Sequence, residues 1–100
     1  MLNISKQLEN DTLLIALEGK LDTATSPILE KELSESMDGV GTLVFDFDKL
    51  VYISSSGLRI LLYAQKIMMA KDGKMSLKNV NELIMDIFEV TGFAEILTIE

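Results

Sequence analysis

One hundred residues, 48% of them hydrophobic and 25% charged, make a chain the size of one small globular domain, able to bury roughly 60 to 70% of its unfolded surface in a single core. The absence of histidine and cysteine removes Ser-His-Asp and Cys-His catalysis, disulfides and most zinc sites together, and is compatible with a reducing cytoplasm. Sixteen acidic residues against nine basic ones, a net charge of -7, set the chain against a nucleic-acid backbone or an anionic membrane surface and favour a partner with a basic patch.

The opening MLNISKQLEN lacks the basic and apolar regions of a secretory signal, and no apolar run approaches the ~18 residues of a membrane span, so a soluble cytoplasmic protein is expected. LNISKQL alternates, with Leu2, Ile4 and Leu8 on one side, and predicts a strand over Leu2–Leu8. TLLIALEG is almost continuously apolar and predicts a second, more deeply buried strand over Leu13–Gly19. Asn10 and Asp11 between them form a turn, which makes the pair a hairpin.

In KLDTATSPILEKELSESMDGVG, the residues Asp22, Thr23, Thr25 and Ser26 are all candidate caps, and Pro27 is tolerated only near a helix start. A helix from about Thr25 to Met37 follows, ended by Gly39 and Gly41. TLVFDFDKL predicts a strand over Thr42–Phe47, with Leu43, Phe45 and Phe47 on one face and Asp46 and Asp48 on the other. A long helix from about Ser56 to Ala70 closes at Asp72-Gly73, and a short strand is predicted over Met75–Lys78. Asn81 then caps a helix with Leu83, Ile84, Ile87 and Phe88 at helical spacing, Val80 positioned to staple onto Met85, and Gly92 at the C-terminal end. EILTIE predicts a last strand over Ile96–Ile99. Helices inserted between strands imply right-handed crossovers. The expected fold is therefore a single α/β domain over residues 1–100, with a mostly parallel five-stranded sheet, an antiparallel N-terminal hairpin strand and helices packed on the sheet.

Ser54, Ser55, Ser56 and Gly57 stand where the apolar strand gives way to the long helix. One serine suffices as an N-cap, accepting a hydrogen bond from a free N–H of the first turn. A hydroxyl at a helix N-terminus is also a good place for a phosphate, whose charge meets free N–H groups and the positive end of the helix dipole. As a nucleophile the motif lacks a histidine base, and no Ser-x-x-Lys spacing starts from these serines, so no catalytic residue is assigned. GVGT matches neither a P-loop nor a dinucleotide fingerprint, and no cofactor is expected. Asp46 and Asp48 fit a solvated strand face better than a hard-cation site, so no metal ligand is assigned. On the long helix, Ile60, Leu61, Ala64, Ile67 and Met68 form a core stripe. Leu58, Leu62, Tyr63 and Met69 exceed it and are divided between the flanks of that stripe and a partner surface.

DFDKLVYISSSGLRILL, preceded by LEGKLDTATSP and followed by EVTGFAEILTI, resembles a STAS domain of the anti-sigma factor antagonist type, and the resemblance covers the whole chain. It implies a domain that binds an anti-sigma factor serine kinase, so freeing a sigma factor, that is switched off when the kinase phosphorylates one serine, and that is restored by a serine phosphatase. In such proteins the junction often runs Asp-Ser-Ser-Gly-Leu, which matches the acceptor to Ser55 and puts Ser54 where aspartate often stands. Asp22 matches the Leu-Asp loop near the phosphorylation site. The implied partner surface comprises Asp22, Thr23, Ser54, Ser56, Gly57, Leu58, Arg59 and Leu62 of a monomer that binds neither nucleic acid nor membrane. The alternative within the family is a non-switching scaffold or a subunit of a signalling or transport complex.

Overall fold

The computed structural model describes residues 1–100 as four strands and four helices: β1 (Leu2–Glu9), β2 (Thr12–Leu21), α1 (Ser26–Ser36), β3 (Thr42–Ile53), α2 (Ser55–Ala70), β4 (Lys74–Lys78), α3 (Glu82–Thr91) and α4 (Phe93–Ile96). The sheet order is β1-β2-β3-β4, antiparallel between β1 and β2 and parallel thereafter. The hairpin turns through Asn10 and Asp11 between the paired residues Glu9 and Thr12, with Asn10 in the left-handed region at φ 57°. Asparagine tolerates that conformation better than most residues.

Period-two alternation places the core on one face of the sheet. Leu13, Ile15, Leu17 and Leu21 of β2 are buried beside Leu43, Phe45 and Phe47 of β3 and Met75 and Leu77 of β4. Leu29 and Leu33 of α1, Leu61, Ala64 and Met68 of α2, and Ile84 and Phe88 of α3 join them in one core cluster. Phe47 sits between Phe45 and Phe88, with ring centroids 6.1 and 6.4 Å away and tilted planes. Each such side chain contributes about 1.5–3 kcal/mol when taken from water. On the opposite face Leu14, Ala16 and Val44 are half-buried and Glu18 is exposed.

Two strands run further than their alternation predicts. β2 continues past Gly19 to Leu21, and β3 continues past Phe47 to Ile53. Register passes from Ala16↔Asp46 to Glu18↔Lys49, and from Gly19↔Leu50 to Lys20↔Tyr52, so β3 carries one extra residue at each step. These bulges convert a period of two into a period of three, and Phe47, Leu50 and Ile53 are all buried. Asp46 latches the first bulge. Its Oδ1 accepts from the Asp48 N–H at 3.0 Å and from Asn79 Nδ2 at 2.9 Å. The Asn79 amide is the main reason this carboxyl lies below the usual range, against opposing desolvation and with help from the Asp48 N–H and Lys78.

The expected fifth strand over Ile96–Ile99 does not form. Gly92, at φ 84°, ends α3 in the left-handed conformation that favours glycine, and the chain winds at once into the single turn of α4. Too few residues remain for a strand. Thr98 and Glu100 bond to Leu77 on either side of one parallel bridge, Leu77↔Ile99, while Leu97 fills the core below. α3 begins as expected at Asn81, whose Oδ1 accepts from the Ile84 N–H and whose Nδ2 donates to the Leu50 carbonyl, both at 2.9 Å. Val80 and Met85, the residues of the expected staple, both pack half-buried against the core.

Candidate functional site

Leu21 and Ile53 are register partners at the ends of two neighbouring parallel strands. The residues that follow them, Asp22 and Ser54, therefore leave the sheet side by side at its carboxyl edge, where loops of parallel sheets gather. The Ser54 N–H donates to the Leu21 carbonyl at 2.9 Å and ties the two exits together. Ser54 has extended backbone and is the N-cap of α2: its Oγ accepts from the Gly57 N–H at 3.3 Å.

Gly57 is required by space rather than by its backbone angle. A Cβ on it would lie 2.7 Å from Ile53 Cγ1, 2.8 Å from the Leu21 carbonyl oxygen and 2.9 Å from Leu21 Cγ. The first turn of α2 can thus press onto the ends of β2 and β3 only without a side chain there. Leu58 follows it inward and is buried in the core. Gly57 and Leu58, both expected on the partner surface, are thus turned inward and seat the helix on the strand ends. Leu58 also leaves the surplus apolar set, reducing it to Leu62, half-buried, and Tyr63 and Met69, exposed.

The other half of the edge is the loop between β2 and α1. Asp22 Oδ1 accepts from the Ala24 N–H at 3.1 Å and the Thr25 N–H at 3.0 Å. The Thr25 hydroxyl, 3.1 Å from the same oxygen, divides its proton between this carboxylate and the Lys20 carbonyl, 2.8 Å away, and accepts from the Asp22 N–H at 2.9 Å. Ser26 Oγ donates to the Asp22 carbonyl at 2.6 Å. The Thr25 N–H is the first cause of an Asp22 pKa below the ordinary carboxylate value; desolvation opposes it, and the Thr25 hydroxyl and Ala24 N–H assist. Asp22 is therefore the organiser of its loop.

The two halves meet through Thr23 Oγ1 and Ser56 Oγ, 3.1 Å apart. Of the three serines, Ser54 is spent on the cap and Ser56 on Thr23; Ser55 is exposed and its hydroxyl has no protein partner. Between α1 and α2 lies an open groove of about 440 Å³, walled by Thr23, Ser26, Pro27, Glu30, Ser56, Arg59, Ile60 and Tyr63. Glu30 and Pro27 were not among the site residues expected from sequence, and Tyr63 stood only among the surplus apolar residues of the long helix. Only the packing of α1 beside α2 brings them to Arg59, although Pro27 and Glu30 stand three apart on α1, a spacing that shares a helix face. Asp46 and Asp48 lie elsewhere, beside Asn3, Ser5 and Glu18 in a separate hollow on the outer face of the sheet.

The parallel sheet edge, whose strand exits carry an ordered Leu-Asp loop and a Ser-Ser-Ser-Gly helix start, belongs to a small single α/β domain. The chain belongs to the STAS domain family, which it matches over residues 3–100. BtrV of Bordetella bronchiseptica, proposed to be an anti-sigma factor antagonist, is 35% identical over 91 residues, covering 89% of this chain and 78% of BtrV. The anti-sigma-B factor antagonist of Bacillus subtilis is 27% identical over 94 residues, covering 94% of this chain and 85% of its own. In structure, the Bacillus anti-sigma factor antagonist SpoIIAA aligns over 98% of this chain in both of its forms. Its unphosphorylated form gives a TM-score of 0.78 at 20% identity over 87% of SpoIIAA, and its phosphorylated form 0.77 at 21% over 91%. These relatives are named as regulators, not enzymes. No helix of the chain is long and apolar enough to cross a membrane.

Proposed function

We propose that this STAS domain is a cytoplasmic, monomeric anti-sigma factor antagonist that docks on an anti-sigma factor serine kinase through the edge carrying Asp22, Thr23, Ser54, Ser56, Arg59 and Leu62, and that phosphorylation of Ser55 switches docking off. The observation that carries this reading is the unequal commitment of the three hydroxyls, since Ser55 alone is exposed and unbonded. In the reaction the Ser55 hydroxyl gives its proton to a base of the kinase, its Oγ bonds to the γ-phosphorus of ATP, and ADP leaves. A serine phosphatase hydrolyses the phosphoserine and restores docking. The net charge of -7 suits a partner with a basic face. SpoIIAA, alike in fold, exists in phosphorylated and unphosphorylated forms.

Incubation with the candidate kinase and ATP, followed by mass spectrometry of the Val51–Arg59 peptide, tests this. Phosphate on Ser55 and release of the kinase are expected. Binding without any phosphate transfer would make the domain a non-switching scaffold.

A further inference from the structure

Arg59 is the only arginine of the chain. It is exposed on α2 and makes no ion pair; the one ion pair of the protein joins Lys6 to Glu32, far along α1. It stands four residues after Ser55 and three after Ser56, the two spacings at which side chains on a helix meet. An acid N-terminal to a base at four residues is the favourable order. The charged groups around it are few. Glu30 of α1 lines the far side of the groove without pairing to it, Asp22 has one carboxylate oxygen committed to its own loop, and Lys20, in register with Tyr52 at the end of β2, does not line the groove.

We propose that Arg59 pairs with the phosphate on Ser55, so that modification withdraws the single arginine from the docking surface. The inference rests on Ser55 as the acceptor. Arginine suits the task because its planar fork meets two phosphate oxygens at once, where lysine offers a point charge. Unmodified, the guanidinium is free to meet a carboxylate or a carbonyl of the partner. Modified, it is held by its own helix. The phosphate thus acts twice, adding negative charge to the edge and removing the one rigid cationic fork from it, while the backbone of α2 stays where it is.

The test uses full-length chain carrying phosphoserine installed at position 55 during synthesis, which bypasses any kinase. Phosphorus NMR follows the second ionisation of the phosphate in otherwise wild-type chain, in Arg59→Lys and in Arg59→Gln. Pairing favours the dianion, so the wild-type phosphate should titrate about 0.15 to 0.4 unit below that of Arg59→Gln, with Arg59→Lys between. Phenylglyoxal supplies a second readout, because Arg59 is the only guanidinium it can attack: labelling of the peptide carrying Arg59, separated from that of the N-terminal amine by mass spectrometry, should be about twofold slower with phosphoserine at position 55 than with serine. Coincident titration curves, or equal labelling rates, would overturn the inference. Failure of a kinase to modify Ser55 would strike only the parent reading, since neither measurement employs one.

Discussion

Thr23 and Ser56, 33 positions apart in the chain, share a hydroxyl–hydroxyl hydrogen bond of 3.1 Å that joins the loop after β2 to the first turn of α2. It is the one side-chain bond between the two halves of the candidate site. A net contribution of about 0.5–1 kcal/mol is expected from a hydrogen bond in so exposed a place. A double-mutant cycle of Thr23→Val and Ser56→Ala, read by chemical denaturation, should return a coupling of about 0.5 kcal/mol. Strict additivity would mean that the two hydroxyls prefer water to each other.

Gly57 and Gly92 should respond to alanine for different reasons. Gly57 lacks room: the added carbon would meet Ile53 and Leu21 at 2.7 to 2.9 Å, and overpacking of this kind costs about 1–3 kcal/mol, more than the ~1 kcal/mol that alanine gains within a helix. Gly92 has open space but a φ of 84°, so Gly92→Ala loses about 1 kcal/mol through backbone strain alone. Thermal melts should fall by about 4–8 °C per kcal/mol for a domain of this size. A Gly57→Ala chain as stable as wild type would show that α2 can lift off the strand ends without cost.

The sequence carried much of this arrangement, and its gaps have physical causes. Leu43, Phe45 and Phe47 announce β3 by alternation, but the bulges after Asp46 and Leu50 change the burial period to three, so the strand's last six residues looked irregular. Gly92 marked the end of α3 correctly; what no local pattern displayed was that the next four residues would coil again and leave one bridge in place of a fifth strand. At the site, the serine cluster and the fact that one serine caps the helix were legible because capping is local. Which serine was not: a helix read from about Ser56 gave no reason to choose Ser54, whereas α2 starts at Ser55 and Ser54 is its cap. The inward turn of Leu58 was not legible either, for an apolar residue at the edge of a helical stripe reads alike whether it faces core or partner. Nor was the Thr23–Ser56 bond, which exists only because Leu21 and Ile53 are register neighbours.

Acid should loosen the Asp22 loop. Hydrogen bonds from Thr25 first, and then Ala24, lower the folded-state pKa of Asp22 below its unfolded value. A depressed carboxyl contributes stability that is present above the unfolded value and is lost as pH falls through the folded one. Asp22→Asn, which never ionises, should therefore be less stable than wild type near neutral pH, with the gap closing below about pH 4. Denaturation midpoints measured across that range decide it. A gap independent of pH would mean that the charge of Asp22 contributes nothing to holding the loop.

Substitution at Ser54, Ser55 and Ser56 should separate folding from switching. Ser54→Ala removes the α2 cap and should lower stability by about 1 kcal/mol, and, because Ser54 also stands on the docking edge, it should weaken binding in the folded fraction as well. Ser56→Ala should be milder, since it loses only the exposed bond to Thr23. Ser55 holds no bond within the domain, so Ser55→Ala should melt like wild type, bind the kinase and resist phosphorylation. A phosphate there meets free N–H groups and the helix dipole, which accommodate its -1.5 to -2 charge roughly without disturbing the fold. At a packed interface the same charge must be desolvated or set against acidic groups, and a loss of about 3 to 4 kcal/mol would weaken binding several-hundredfold. Ser55→Asp, with a smaller charge, should fold normally and bind more weakly than wild type, though less weakly than the phosphorylated chain. Titration of each variant against the kinase, paired with a melt of the same sample, distinguishes the roles. Equal affinities for wild type and Ser55→Asp, or phosphate on Ser54 or Ser56, would move the switch to another residue and leave Ser55 a spacer between the helix cap and the serine that bonds Thr23.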